Sequence, residues 1–385
     1  MTVSSSGPLS GVLVADLSRV LAGPYATMLL GDLGADVIKV ERPGSGDDTR
    51  AWGPPYAPDG TSTYFASVNR NKRSIALDLT DDGDLAIAQR LTGVADVVIE
   101  NFAAGSLARY RLDAESCLAR NPRAIYCSIT GFGSGAGAEL PGYDLLVQAM
   151  GGLMSVTGID EPTKAGVAVV DVLTGLHATV AILAGLRERD RTGRGQVIEV
   201  SLLSSLLSSL VNQSGAYAGA GVVPGLLGNA HPSIAPYEAY AASDRSMVLA
   251  VGNDGQFRAL MQVLGLTSLA DDPRFSTNPA RVAHRSELNA ALAPVLASRT
   301  ADDWHHALMT VGVPCGPING IDDAFALATR LGLPGLVDVE GSRQVASPAQ
   351  LSDTPVAYRL APPGLDSGRQ DVLRELAARE AAARS

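Results

Sequence analysis

Short apolar runs rich in β-branched residues alternate with helical periodicity through the first half of the chain, and this alternation constrains the fold most. GVLVADL (11–17), ADVIKVE (35–41), RSIALDL (73–79), DVVIENF (96–102) and RAIYCSIT (123–130) read as strands. AGPYATMLLGDLG (22–34) and LAIAQRLTGVA (85–95) read as helices, the first with Pro24 in its opening turn and Gly34 at its end. This βαβ rhythm predicts an α/β fold, with a parallel or mostly parallel sheet covered by helices.

Beyond it, helices are expected at roughly 171–188 and 201–217, with QVIEVSL (196–202) as a strand between them. GAYAGAGVVPGLLGNAHP (215–232) is rich in Gly, Ala and Pro and weakly periodic, so it reads as a linker. It would join a large domain, whose N-terminal part is 1–214, to a small domain at 233–325. The small domain offers YEAYAA and SMVLAVG as strands, helices near 254–264, 286–298 and 301–312, and a break at PCGPIN (314–319). Residues 326–385 are expected to return to the large domain and close on an Arg/Glu/Ala-rich helix at 368–384. A chain of 385 residues suffices for two such domains.

Charge and composition narrow the function. The net charge is −10 and no Lys/Arg block occurs, which argues against a nucleic-acid partner. An anionic ligand must be met by local cations or helix N-termini. The three cysteines, Cys117, Cys127 and Cys315, form no CxxC or Cys/His cluster, and no histidine sits at metal-ligand spacing, so no metal is expected. No G-x-S-x-G elbow is present. The N-terminal MTVSSSGPLSG lacks basic and apolar leader regions, so a cytoplasmic location is expected. AVVDVLTGLHATVAILAGL (168–186) approaches membrane-spanning length, but it contains Asp171 and His177 and reads better as a core helix.

Several segments carry candidate chemistry, each beside a plainer reading. GFGSGAG (131–137) nearly satisfies a pyrophosphate-cradling pattern, but Pro141 argues against an immediate helix, so a flexible glycine loop near a site fits better than a nicotinamide site. Asp171 lies where a β-like run becomes helical. It is either an N-cap or a carboxylate held for covalent catalysis. In ENFAAGSLARY (100–110), Asn101 and Phe102 end a strand, where open α/β sheets bind ligands, and Arg109 follows on a short helix. Asn101 as a helix cap, Phe102 as core and Arg109 as a solvated charge are the alternatives. Arg70, Lys72 and Arg73 either meet a phosphate or face water, and Arg42 follows a strand end.

In order, these pieces resemble one family. VLVADLSRVLAGPYATMLLGDLGADVIKVERPGSGDDTR, NRNKRSIALDL, ADVVIENFAAGSLARY, NPRAIYCSITGFG, PGYDLLVQAMGGLMSVTG, VAVVDVLTGLHATVAILAGL, TGRGQVIEVSLLSSL, GNAHPSIAPYEAY and VPCGPIN are similar to segments of the class III CoA-transferases. These are of the formyl-CoA transferase and carnitine CoA-transferase type, and the family includes α-methylacyl-CoA racemases. The resemblance covers roughly residues 8–325. It implies a Rossmann-like large domain with an inserted smaller α+β domain, in an interlocked homodimer whose sites lie between the large domain of one chain and the small domain of the other. It also implies that coenzyme A or an acyl-CoA, with a small carboxylic acid, is the substrate, without a flavin or nicotinamide. Asp171 matches the family's nucleophile, which forms acyl-anhydride and aspartyl-CoA intermediates. The family's CoA-contacting positions fall on Leu21, Ala22 and Arg42, on Leu77, Asp78, Leu79 and Thr80, and on Asn101, Phe102, Ala103 and Arg109. Racemases carry His-Asp where this chain has Tyr143-Asp144, and tyrosine is a poor base, so transfer is expected over racemisation or mere acyl-CoA binding. The glycine tetrad of formyl-CoA transferase has no counterpart. GNAHPSIAP stands there, with Asn229 and His231 as candidate substrate-pocket residues beside Tyr143 and Asp144. GLDSGRQ (364–370) replaces the family's Leu-Gly-Glu-His.

Overall fold

A computed structural model describes residues 7–384. The chain forms two compact units. The first holds residues up to Leu153, Ala165–Val222 and the chain from Gly332 on; the second holds Met154–Lys164 and Val223–Leu331.

In the first unit the β-branched runs become six strands: β1 (Leu13–Asp16), β2 (Asp36–Glu41), β3 (Lys72–Ala76), β4 (Val97–Glu100), β5 (Ile125–Thr130) and β6 (Gln196–Ser201). All pair in parallel, in the order β3-β2-β1-β4-β5-β6. Helices α1 (Ala22–Asp32), α2 (Thr63–Ser67), α3 (Asp82–Val94), α4 (Ala114–Arg120), α5 (Asp144–Met150), α6 (Val169–Thr192), α7 (Leu202–Ser209) and α8 (Asn212–Ala220) accompany them, with one more at the C-terminal end. Successive side chains of a strand point to opposite faces, and here both faces are covered. Val14, Val37, Val97 and Ile125 pack with Leu30 of α1 and Ile182 of α6. Leu13, Ile38, Ile75 and Val98 pack with Leu91 of α3 and with Val372 and Leu376 of the C-terminal helix Arg369–Arg384. Each such side chain taken out of water contributes about 1.5–3 kcal/mol.

The order of strands reverses beside β1, between β2 on one side and β4 on the other. Chains leaving β1 and β4 there diverge and open a crevice at the carboxyl ends of the strands. Helix α6 is long and apolar enough to cross a membrane by length and composition, yet it buries Thr174, Gly175, Ala178, Ile182 and Leu186 within this unit. Gly175 has a reason: a Cβ there would lie 2.7 Å from the Ala22 carbonyl oxygen, so only glycine lets α6 approach the start of α1 this closely.

Three local expectations change. The expected helix 201–217 is two helices, α7 and α8, because Val211 between them takes φ 42°. The start of the expected linker is therefore helical, through Ala220. Arg70, Lys72 and Arg73 are taken up by ion pairs instead of standing as free cations; they pair with Asp32 at 2.6 Å, Asp16 at 3.1 Å and Asp36 at 2.5 Å, and Arg73, partly exposed, also reaches Glu375 at 2.6 Å. Their partners lie far away in sequence, beyond any local pattern.

The second unit carries an antiparallel sheet of β7 (Tyr237–Ala241), β8 (Ser246–Ala250) and β9 (Cys315–Pro317). Met247 and Leu249 pack with Phe257, Leu260, Leu292 and Trp304 from its helices. The Trp304 indole N–H donates to the Leu296 carbonyl at 2.8 Å, so this buried ring leaves no donor unpaired.

Candidate active site

Two cavities open in the first unit at the crevice, and they share Arg19 and Phe102 in their walls. The smaller, of about 310 Å³, is lined by Arg42 after β2, by Leu77, Asp78, Leu79 and Thr80 after β3, and by Phe102 and Arg109 after β4. The larger, of about 650 Å³, is lined by Leu21 and Ala22 at the start of α1 and by Asn101, Phe102 and Ala103. Tyr143, Asp144 and Asp171 complete its wall, with Gly131, Gly133 and Gly137 of the glycine loop. The large-domain candidates thus fall on two adjoining surfaces. Asn229 and His231 belong to the second unit. There His231 donates its backbone N–H to the Tyr237 carbonyl at 3.0 Å, its Nδ1 accepts from the Ser233 N–H at 3.1 Å, and its ring meets Tyr237 edge-on.

Asp171 is not the N-cap. Ala168 occupies that position without a side-chain cap, and Asp171 sits in the first turn of α6. The capping acceptor comes from α5: Asp144 Oδ1 accepts from the N–H groups of Val170 at 2.8 Å and Asp171 at 3.3 Å. Its Oδ2 accepts from Gln148 Nε2 at 2.6 Å, and Gln148 Oε1 accepts from Ala165 N–H at 2.9 Å. Burial first, and then the Asp144 charge, push the Asp171 carboxyl up to about 7. Tyr64 on α2 senses the same charges: burial, Asp171 and Asp144 push its hydroxyl up to about 12. Trp52, in the cavity wall, meets the Tyr64 ring edge-on with centroids 5.1 Å apart.

Asn101 does not cap a helix either. Its amide brackets the Arg19 peptide, accepting from Arg19 N–H at 3.0 Å and donating to Arg19 C=O at 2.7 Å. Arg109 lies in a single 3₁₀ turn, Ala108–Tyr110, with its guanidinium over the Tyr110 ring. Arg42 and Arg109 are both exposed, as donors for an anionic ligand must be. Arg19, Val20, Trp52 and Tyr64 stand out in no local sequence pattern. Arg19 and Val20 follow the end of β1, while Trp52 and Tyr64 lie well beyond the end of β2 and are brought to the site only by the fold.

Glycine in the loop after β5 also has a steric cause. A Cβ on Gly131 would lie 2.4 Å from Gly142 Cα, so the two ends of the loop touch through their backbones and keep Tyr143 beside the cavity.

A half-buried carboxylate at a cavity wall, beside a second cavity edged with arginine, equips a protein for nucleophilic attack on an acyl group carried by an anionic ligand. The chain matches the model of CoA-transferase family III over residues 9–369 and belongs to that family. It is a family III CoA-transferase. It is 47% identical over 383 residues to the succinate–glutarate CoA-transferase of Agrobacterium fabrum, covering 96% of each chain. It is 45% identical to the succinyl-CoA:glutarate CoA-transferase of Mus musculus, covering 85% of this chain and 76% of that one. A crystal structure of a CaiB/BaiF family protein from Brucella suis superposes with a TM-score of 0.88 at 44% identity, over 96% of this chain and 100% of the other.

Proposed function

We propose that this enzyme moves CoA between short dicarboxylic acids, with succinate and glutarate the first pair to test, and that Asp171 is its nucleophile. The observation that carries the reading is the Asp171 carboxylate in the wall of the larger cavity, its pKa raised to about 7. A carboxylate of raised basicity is a better nucleophile, and near neutral pH a large share of it is ionised. The nucleotide end of CoA would lie at Arg42 and Arg109, and its thioester would pass Phe102 and Asn101 toward Asp171.

Asp171 attacks the thioester carbonyl, and the CoA thiolate leaves to give a mixed anhydride. The thiolate then attacks the aspartyl carbonyl of that anhydride and releases the donor acid, leaving an aspartyl-CoA thioester. The acceptor carboxylate attacks this thioester, frees the thiolate again and forms the second anhydride. Attack of the thiolate on the acceptor's acyl carbonyl releases the new acyl-CoA and restores Asp171. No water is consumed, so the cavity must exclude it. A homodimer, by family likeness, and a cytoplasmic location are part of this proposal.

The test is a mass-spectrometric exchange of acyl-CoAs against a panel of carboxylic acids in deuterated buffer, with wild type and Asp171→Ala. Glutaryl-CoA formed from succinyl-CoA and glutarate by wild type alone, with acyl-CoA still bound by the variant, is expected. Unchanged turnover in Asp171→Ala overturns the mechanism. Deuterium at the α-carbon with no new thioester would mean racemisation.

A further inference from the structure

The turn from β1 into α1 is held by side chains rather than by its own backbone. The sheet ladder ends where the Leu17 N–H donates to Ile99 C=O at 2.9 Å. Ser18 N–H then donates to Asp16 Oδ1 at 3.0 Å, and Ser18 C=O accepts from Lys39 Nζ at 2.9 Å. Asn101 brackets Arg19. Val20 N–H donates to both oxygens of Asp47, at 3.3 and 3.2 Å. Lys39 and Asp47 pair at 2.8 Å, and both side chains are 0% exposed. Val20 itself takes φ 69°, a left-handed conformation that a β-branched residue strongly resists. The next two residues, Leu21 and Ala22, share the cavity wall with Asp171.

We propose that the buried Lys39–Asp47 pair is a positioning device for the reaction: it holds Val20 left-handed and so fixes the Leu21–Ala22 backbone in the cavity wall that also carries Asp171. This rests on the reading of Asp171 as nucleophile. A fully buried ion pair is seldom a net gain over an apolar pair of like size, so its presence calls for a role that apolar side chains cannot fill. That role is to present acceptors to Val20 N–H and a donor to Ser18 C=O across a segment with no ladder partner. Lys39 keeps the Asp47 carboxyl below its ordinary range, and hydrogen bonds from Thr49 act in the same direction, so the acceptor stays ionised. Asp16, which also binds Thr27 Oγ1 at 2.6 Å and Lys72 at 3.1 Å, anchors the turn's other end.

The test uses the enzyme and four variants: Asp47→Ala, the apolar pair Lys39→Met with Asp47→Leu, Asp47→Ala with Val20→Gly, and Asp171→Ala as control. Turnover number, CoA dissociation constant and melting temperature are read for each. Expected is a fall of at least tenfold in kcat for Asp47→Ala and for the apolar pair, larger than any change in the CoA dissociation constant, since Lys39 and Asp47 also line the smaller cavity. Glycine takes positive φ without strain, so Val20→Gly should restore kcat at least threefold in the Asp47→Ala background. A merely structural role would lower the melting temperature and the active fraction without that rescue. If Asp47→Ala does not fold, the apolar pair carries the kcat reading. Unchanged kcat, an effect confined to CoA binding, or no rescue by glycine overturns the positioning role. Full turnover in Asp171→Ala overturns the nucleophile reading instead, so the two failures are distinct.

Discussion

Asp144 caps the helix that carries Asp171: one oxygen of its carboxylate accepts the N–H groups of Val170 and Asp171, while its charge helps hold the Asp171 carboxyl up near 7. Position and basicity of the nucleophile thus pass through one side chain. Asp144→Asn separates them, because the amide oxygen still caps but the charge is gone. The acid limb of the kcat/KM profile, expected near pH 7 in wild type, should move to lower pH. It should not reach the ordinary carboxylate range, because burial is the larger cause and remains. Asp144→Ala should also lower the melting temperature, since removing a cap costs about 1 kcal/mol. A limb that stays in place in Asp144→Asn would assign the shift to burial alone.

The same shift has a stability consequence with a definite sign. Asp171 binds its proton more tightly folded, at about 7, than unfolded, near its ordinary 3.8. Between those values the native state holds more protons than the unfolded one, so rising pH lowers stability through this group. The penalty is absent below the lower value and complete above the upper. Asp171→Asn carries no charge and escapes it. Its melting temperature relative to wild type should be distinctly higher at pH 8 than at pH 4.5, a trade of stability for nucleophilicity. A constant offset between the two pH values would count against the raised pKa.

Strands and most helices were legible because their signals are local. GVLVADL and DVVIENF are β-branched runs whose both faces are buried, and no other reading suits them. What stayed hidden depends on residues far apart in sequence. Lys72 looks like a surface cation until Asp16, from another strand, is brought to 3.1 Å. Asp171 looks like a cap because it follows an apolar run, and only the fold reveals that Asp144 caps that helix instead. Asn101 was placed in the site by its position after β4, but its bracket around Arg19 needs the β1–β4 pairing to exist.

That distinction separates two kinds of arginine. Arg70 is buried, pairs with Asp32 at 2.6 Å and donates to Val345 C=O at 2.8 Å, away from both cavities. Arg42 is exposed in the wall of the smaller cavity. Arg70→Met should strand the Asp32 charge and cost about 3–5 kcal/mol of stability, measured by denaturant unfolding. Arg42→Gln should leave unfolding unchanged and raise the CoA dissociation constant by roughly tenfold, the scale of one charge-assisted hydrogen bond. The reverse pattern, weak CoA binding in a stable Arg70→Met, would return 70–73 to the ligand site.

The glycine loop offers the sharpest steric test. Gly131 and Gly142 meet backbone to backbone, and a methyl group on Gly131 would stand 2.4 Å from Gly142 Cα, too close for any rotamer to relieve. Gly131→Ala must therefore part the loop ends and move Tyr143, which follows directly and lines the larger cavity. Arg42 and Arg109 lie in the other cavity, so the nucleotide end of CoA should bind as before. The expected result is a fall in kcat/KM of at least tenfold for dicarboxylate acceptors, with the dissociation constant of free CoA within threefold of wild type. Gly135 is exposed in the same loop with open space around it, and Gly135→Ala should leave both values unchanged. If the two alanines behave alike, the loop's backbone contact does not shape the acceptor site, and selectivity must be sought in other residues of the cavity wall.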